Sequence, residues 1–106
     1  MGAEVFTTDG RAPIKIVGGS LHGIEYVNSD GSAQLKSAVI LATMSACGSS
    51  KIIEPIPTRD HTERLLNLMG AKMTVCGDRL EVFPGSLTLP QEIDIPGDPS
   101  SAAYFL

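Results

Sequence analysis

Between Gly31 and Gly48 the chain reads GSAQLKSAVILATMSACG, and this stretch constrains the fold more than any other. Ser32, Ala33 and Gln34 open a run in which Leu35, Ala38, Val39, Ile40, Leu41, Ala42, Met44 and Ala46 are apolar. Serine is a strong N-cap, the run has no proline or internal glycine, and Gly48 stands where a helix stop is expected. Apolar positions go nearly all the way round, which predicts a helix buried on most sides. Its N-terminus is the part left to meet something else. Unpaired N–H groups there, with the positive end of the helix dipole, favour an anion.

The segments around this helix alternate in type. Glu4–Thr8 and Ala12–Val17 flank Asp9-Gly10 and read as a β-hairpin. Leu21–Tyr26 reads as a strand whose polar members are His22 and Glu25. After the helix come a short strand within Ser50–Pro55, then Asp60 and Glu63 spaced as a capping box at the start of a helix running to about Met69. Met73–Val75 and Leu80–Phe83 form a second hairpin, Ile93–Ile95 a last strand, and Ser100–Leu106 the start of a helix. The pattern also repeats at about 68 residues. Met1-Gly2-Ala3 with its hairpin matches Met69-Gly70-Ala71 with its own. Ile24-Glu25-Tyr26 followed by Ser32-Ala33 matches Ile93-Asp94-Ile95 followed by Ser101-Ala102. The expectation is an α/β (α+β) chain of one domain over 1–106. Residues 1–19 form a hairpin ending one unit, 20–86 a whole βαβαββ unit, and 87–106 the start of a third, as in a segment of a longer repeat protein.

Composition narrows the function. With 106 residues, 42% apolar, the chain is an ordered domain, and its net charge of -4 with scattered Lys and Arg argues against a nucleic-acid surface. The longest apolar run falls short of the about 20 residues a membrane helix needs, and no secretory signal pattern is present. Cys47 and Cys76 lack metal-ligand spacing and read as reduced, structural residues of a cytoplasmic protein. No metal, cofactor or Ser–His–Asp set is expected. Ser32, Ala33 and Gln34 suit a phosphate or carboxylate, although taken alone a serine cap on a core helix is the commoner explanation. Arg59 has two readings, a fork onto a phosphate or a solvated side chain paired to Glu54 or Asp60. Lys36 reads as a snorkelling surface lysine. His61 reads as a surface residue, and His22 carries no role.

Taken in order, several words resemble one family. They are Ile24-Glu25-Tyr26, Ser32-Ala33-Gln34-Leu35-Lys36-Ser37-Ala38, the run Glu54-Pro55-Ile56-Pro57-Thr58-Arg59-Asp60-His61-Thr62-Glu63, Met69-Gly70-Ala71 and the run from Pro96 to Leu106. Together they are similar to 5-enolpyruvylshikimate-3-phosphate (EPSP) synthase, 3-phosphoshikimate 1-carboxyvinyltransferase, along essentially the whole chain. PTRDHTE is the most specific word, and UDP-N-acetylglucosamine enolpyruvyl transferase, with a different word there, ranks second. A non-catalytic RNA-binding βαβαββ module is the reading from another class, disfavoured by the acidic charge.

The resemblance implies an enolpyruvyl transferase fold, an inside-out α/β barrel of two domains built from βαβαββ copies, with this chain inside the N-terminal-side domain. It implies a cytoplasmic enzyme of the shikimate pathway, in aromatic amino acid and chorismate biosynthesis, acting on shikimate 3-phosphate and phosphoenolpyruvate. Carried over by position, Ser32, Ala33, Gln34 and Arg59 bind shikimate 3-phosphate, and Gln34 also lies near phosphoenolpyruvate. No catalytic residue carries over, so the isolated chain is expected to be inactive; a repeat unit without its neighbours exposes apolar surface, so it is also expected to self-associate, with the helix start at Ser100 to Leu106 as the candidate segment. One departure stands at Asn28-Ser29-Asp30-Gly31, where the family has a small apolar stretch with proline; it brings a carboxylate near the phosphate position.

Overall fold

The computed structural model describes residues 1–105; Leu106, the end of the helix start expected at Ser100, lies outside the described residues. The fold is built on a four-stranded sheet and two helices. In chain order these are β1 (Glu4–Thr8), β2 (Arg11–Val17), β3 (Glu25–Val27), α1 (Ala33–Met44), β4 (Ser50–Ile53), α2 (His61–Leu68), β5 (Met73–Cys76), β6 (Arg79–Val82) and a short α3 (Pro99–Ala102), which a 3-10 turn continues over Ala103–Phe105. The sheet order is β3-β4-β6-β5. β3 runs parallel to β4 through the α1 crossover, while β6 pairs antiparallel with both β4 and β5. The stretch from β3 to β6 thus has the element order βαβαββ, and the architecture is α/β.

Register sorts the side chains. Ile52 faces Leu80 and Ser50 faces Val82, all four buried. Ile40 of α1 and Leu66 of α2 close over them, with Tyr26, Met44, Met69 and Met73 packed around. Both helices therefore cover one face of the sheet. The other face carries Glu25, Lys51, Glu81 and Thr74 side by side across four strands. Thr43 and Ser50 sit inside the core, and Thr43 Oγ1 lies 2.7 Å from both the Val39 carbonyl and Ser50 Oγ.

The β1–β2 hairpin stands off this body with every residue exposed. His22 N donates to the Met1 carbonyl at 2.9 Å beside it. Together with the extended stretch after Phe83, the hairpin gives a radius of gyration of 16.0 Å. A closely packed chain of this length has about 13 Å.

Several sequence expectations need correction. The helix is not buried on most sides: Lys36, Ile40 and Thr43 form its buried stripe, while Leu35 and Leu41 are about half exposed. It also ends at Met44, with Ser45 as C-cap, rather than running to Gly48. The strand expected over Leu21–Tyr26 is regular only from Glu25, because Ile24 N donates to Ser50 Oγ (3.2 Å), a side chain in place of a ladder carbonyl. Upstream of it only an isolated His22–Cys47 bridge forms. Ile93–Ile95 is not a strand, since no described strand lies beside it to complete a ladder, and Ile95 is 84% exposed. Asp60 is the N-cap residue of α2 but makes no capping hydrogen bond, and Glu63 is turned inward instead. Cys47 and Cys76 are free, as expected, but both are exposed and neither serves the core. No helix among the described residues is long and apolar enough to cross a membrane.

Candidate functional site

Ser32 caps α1 as its sequence suggests. Its Oγ accepts from Leu35 N at 3.3 Å, and its carbonyl takes the first intrahelical bond from Lys36 N. Buried Asn28 holds the cap from below, with Oδ1 accepting from Ser32 N (3.1 Å) and Nδ2 donating to the Ser32 carbonyl (3.2 Å). The peptide N–H groups of Ala33 and Gln34 donate to no other peptide group among the described residues. These are the orphan donors of a helix start, directed outward and matched to an anion. Asp30 is exposed at the turn before the cap. Gly31 there has φ +59°, and a Cβ on it would come within 3.2 Å of Ile56, so the turn is fixed against the next segment.

That next segment, residues 54–60, leads from β4 to α2. Pro55 and Pro57 fix φ and lack N–H donors. Arg59 is exposed and makes no ion pair among the described residues, which overturns its pairing with Glu54 or Asp60. Glu54 is occupied elsewhere: Thr58 Oγ1 donates to its Oε1 (2.7 Å), and Lys36 Nζ to its Oε2 (3.1 Å). Ala33, Gln34 and Arg59 line one groove of about 410 Å³, with Ser37, Ala38, Leu41, His61 and Thr62 completing its wall. Ser32 is not among the lining residues; it precedes Ala33 as the cap of α1. The two words that are separate in sequence thus meet in one groove, and no carboxylate among the described residues lines it. Ser37 Oγ and Thr62 Oγ1, 2.7 Å apart, tie α1 to α2 along the groove.

The reading of Lys36 as a surface residue fails. Its side chain is 1% exposed, between Glu54 and Glu63, with Nζ 3.1 Å from Glu54 Oε2 and 2.6 Å from Glu63 Oε1. This pairing also explains why Glu63 leaves the capping box: a buried ammonium outcompetes a peptide N–H for its carboxylate. Glu63 Oε2 is buried without a hydrogen-bond partner among the described residues. The triad borders a second hollow of about 500 Å³, lined also by Arg64, Asp78 and Arg79. The orphan donors of α1 and Arg59 do not line this hollow, where Arg64 and Arg79 stand among the carboxylates of Glu54, Asp60, Glu63 and Asp78. Sequence reading missed Asn28, Lys36 and Glu54 as supports of the site. The available signal was Lys36, Ile40 and Thr43 at helical spacing on one stripe.

No cluster of His, Cys, Asp or Glu among the described residues has the arrangement of a metal site.

Comparison with known proteins gives a consistent picture. The family profile of EPSP synthase (3-phosphoshikimate 1-carboxyvinyltransferase) matches residues 1–106. The 3-phosphoshikimate 1-carboxyvinyltransferase of Limosilactobacillus fermentum is 48% identical over 109 aligned residues, which take in 100% of this chain and 25% of that protein. The protein of the same name from Acidithiobacillus ferrooxidans is 48% identical over 106 residues, 100% of this chain and 24% of its own length. Among solved structures, EPSP synthase from Acinetobacter baumannii superimposes with a TM-score of 0.85 at 42% identity, covering 99% of this chain and 24% of that one. The chain spans about a quarter of the length of the curated relatives it matches.

Proposed function

Since the chain belongs to the EPSP synthase (3-phosphoshikimate 1-carboxyvinyltransferase) family, we propose that it forms one wall of the substrate site of an enzyme transferring the enolpyruvyl group of phosphoenolpyruvate to shikimate 3-phosphate. The observation that carries this is the groove lined together by Ala33 and Gln34, whose N–H groups donate to no peptide group among the described residues, and Arg59, which makes no ion pair among them. The phosphate sits at the start of α1, against Ser32 and these N–H groups, where the helix dipole stabilises it, and Arg59 supplies the balancing charge. Gln34, with a donor and an acceptor on one exposed side chain, takes a hydroxyl of the shikimate ring and faces phosphoenolpyruvate.

In this reading the unit boundaries are 1–19, 20–86 and 87–106, and the acid–base groups of the reaction come from outside these residues. The enzyme acts in the cytoplasm. Positioning of two anionic substrates by preorganised donors is what such a wall contributes to catalysis.

The test is a titration of the 15N-labelled chain with shikimate 3-phosphate, followed by NMR. The amides of Ser32, Ala33, Gln34 and Arg59 should shift, with a dissociation constant around 1 mM, about −4 kcal/mol. Arg59→Ala should weaken binding about tenfold, the effect of losing a charge-assisted contact. Shifts confined to other residues would sink the assignment.

A second proposal concerns association. Val5, Phe6, Ile14 and Ile16 of the hairpin are each more than half exposed. Such surface favours burial against another molecule. The 106-residue chain should therefore scatter light as a dimer or larger species at high concentration, and a strictly monomeric mass would contradict this.

A further inference from the structure

We propose that Glu54 is a positioning residue that locks the segment carrying Arg59 to the cap of α1, an assignment that rests on the phosphate-seat reading above. The segment from 55 to 60 has little of its own to hold its shape. Two of its residues are prolines, and none of its peptide N–H groups donates to another peptide group among the described residues. A loop with so few backbone bonds takes its conformation from side-chain contacts.

Glu54 supplies them. Oε1 accepts from Thr58 Oγ1 at 2.7 Å, closing the loop one residue before Arg59. The same oxygen lies 3.4 Å from Asn28 Nδ2, whose amide also brackets Ser32 on both its N–H and its carbonyl. Oε2 accepts from buried Lys36, one turn along the same helix. One carboxylate thus touches the loop on one side and the helix start on the other. Its charge strengthens each bond it accepts. Arg59 carries a long, flexible side chain, and its affinity for a phosphate depends on how little freedom remains to be lost on binding. Fixing its backbone relative to Ser32 reduces that loss, though Glu54 need never touch the ligand.

The experiment is a double-mutant cycle on the full chain with shikimate 3-phosphate as probe, using Thr58→Val and Arg59→Ala. Thr58→Val keeps shape but removes the hydroxyl that reaches Glu54. It should weaken binding about fivefold, the scale of one lost hydrogen bond, and Thr58→Ser should restore it. In the Arg59→Ala background, Thr58→Val should have no further effect, because the residue through which it acts is gone. In the ligand-free chain, Thr58→Val should also shift the Asn28 side-chain amide resonances and speed hydrogen exchange at the Ser32 amide, two positions far from it in sequence.

Equal loss in both backgrounds would overturn the positioning role while leaving the seat intact, as would unchanged affinity or an unmoved Asn28 amide in a folded Thr58→Val chain. Failure of the unsubstituted chain to bind at Ser32 to Gln34 would overturn the seat, and the positioning role with it.

Discussion

Lys36→Ala should cost the chain most or all of its cooperative unfolding transition. The side chain is 1% exposed, and its ammonium lies between two carboxylates, Glu54 and Glu63. Removing it leaves two like charges facing each other with only 16% and 11% exposure, and one of them already has a buried oxygen without a partner among the described residues. Breaking a buried pair in this way costs about 3–5 kcal/mol, and a domain of this kind holds about 5–15 kcal/mol in all. The lost methylenes add a cavity. Lys36→Met fills the volume without the charge, so it should recover only the packing part. Urea denaturation followed by circular dichroism measures both, and an unchanged midpoint for Lys36→Ala would show that the triad contributes nothing net.

The same lysine gives the effect a pH signature. Burial by itself would lower its pKa; the hydrogen bonds to Glu63 and then Glu54, with their charges, outweigh it and hold the ammonium above the ordinary lysine value of 10.5. A group raised in the folded state binds its proton after the unfolded chain has released it. The stability it confers is therefore complete below pH 10.5 and is lost as pH rises through the folded value. The alkaline fall in midpoint should be present in the unsubstituted chain and shallower in Lys36→Met.

These residues also mark how far the sequence could be read. Hairpins and the Ser32 cap depend on neighbours in the chain, and those signals were legible; Asp60 marks the α2 start, although the capping box with Glu63 that pointed to it does not form. The helix interior was misread because hydropathy ranks side chains by type, whereas burial here follows partners. Lys36 goes inside because Glu54 and Glu63 meet it there, and those residues lie 18 and 27 positions away. Leu35 and Leu41 are left outside on the same helix. Ile93–Ile95 has strand composition but no described neighbour to pair with, and composition does not reveal that. Gln34 and Arg59 share a groove only because the α1 crossover and the 54–60 loop end at the same place. Each word was visible alone, and their juxtaposition was implied by family resemblance rather than by any local rule.

Gly23→Ala should be as damaging as the loss of Lys36, for a reason invisible in hydropathy. A Cβ at Gly23 would stand 1.8 Å from the Ser49 carbonyl oxygen, 2.6 Å from its carbon and 2.9 Å from the Gly48 oxygen. All three are backbone atoms, so no rotamer change relieves the contact, and the two chain segments must separate. They are laced together there: Cys47 N donates to the Leu21 carbonyl (2.7 Å), Gly23 N to Cys47 (3.3 Å) and Lys51 N to Ile24 (2.8 Å). Separation removes the entry to β3, pulls Ile24 N from Ser50 Oγ and so disturbs the buried Ser50–Thr43 contact beneath α1. Asn28, which brackets Ser32, is itself anchored to β4 through its N–H on the Ile53 carbonyl (2.8 Å), so the damage should reach the cap of α1. A loss of about 4 kcal/mol or more is expected, at the extreme of single substitutions. Gly18→Ala is the control, since a Cβ there meets nothing within 4 Å and φ is not left-handed. It should leave the midpoint unchanged or raise it by up to about 1 kcal/mol through the unfolded chain. Equal midpoints for Gly23→Ala and Gly18→Ala in urea would show that residues 23 and 49 are not in close backbone contact.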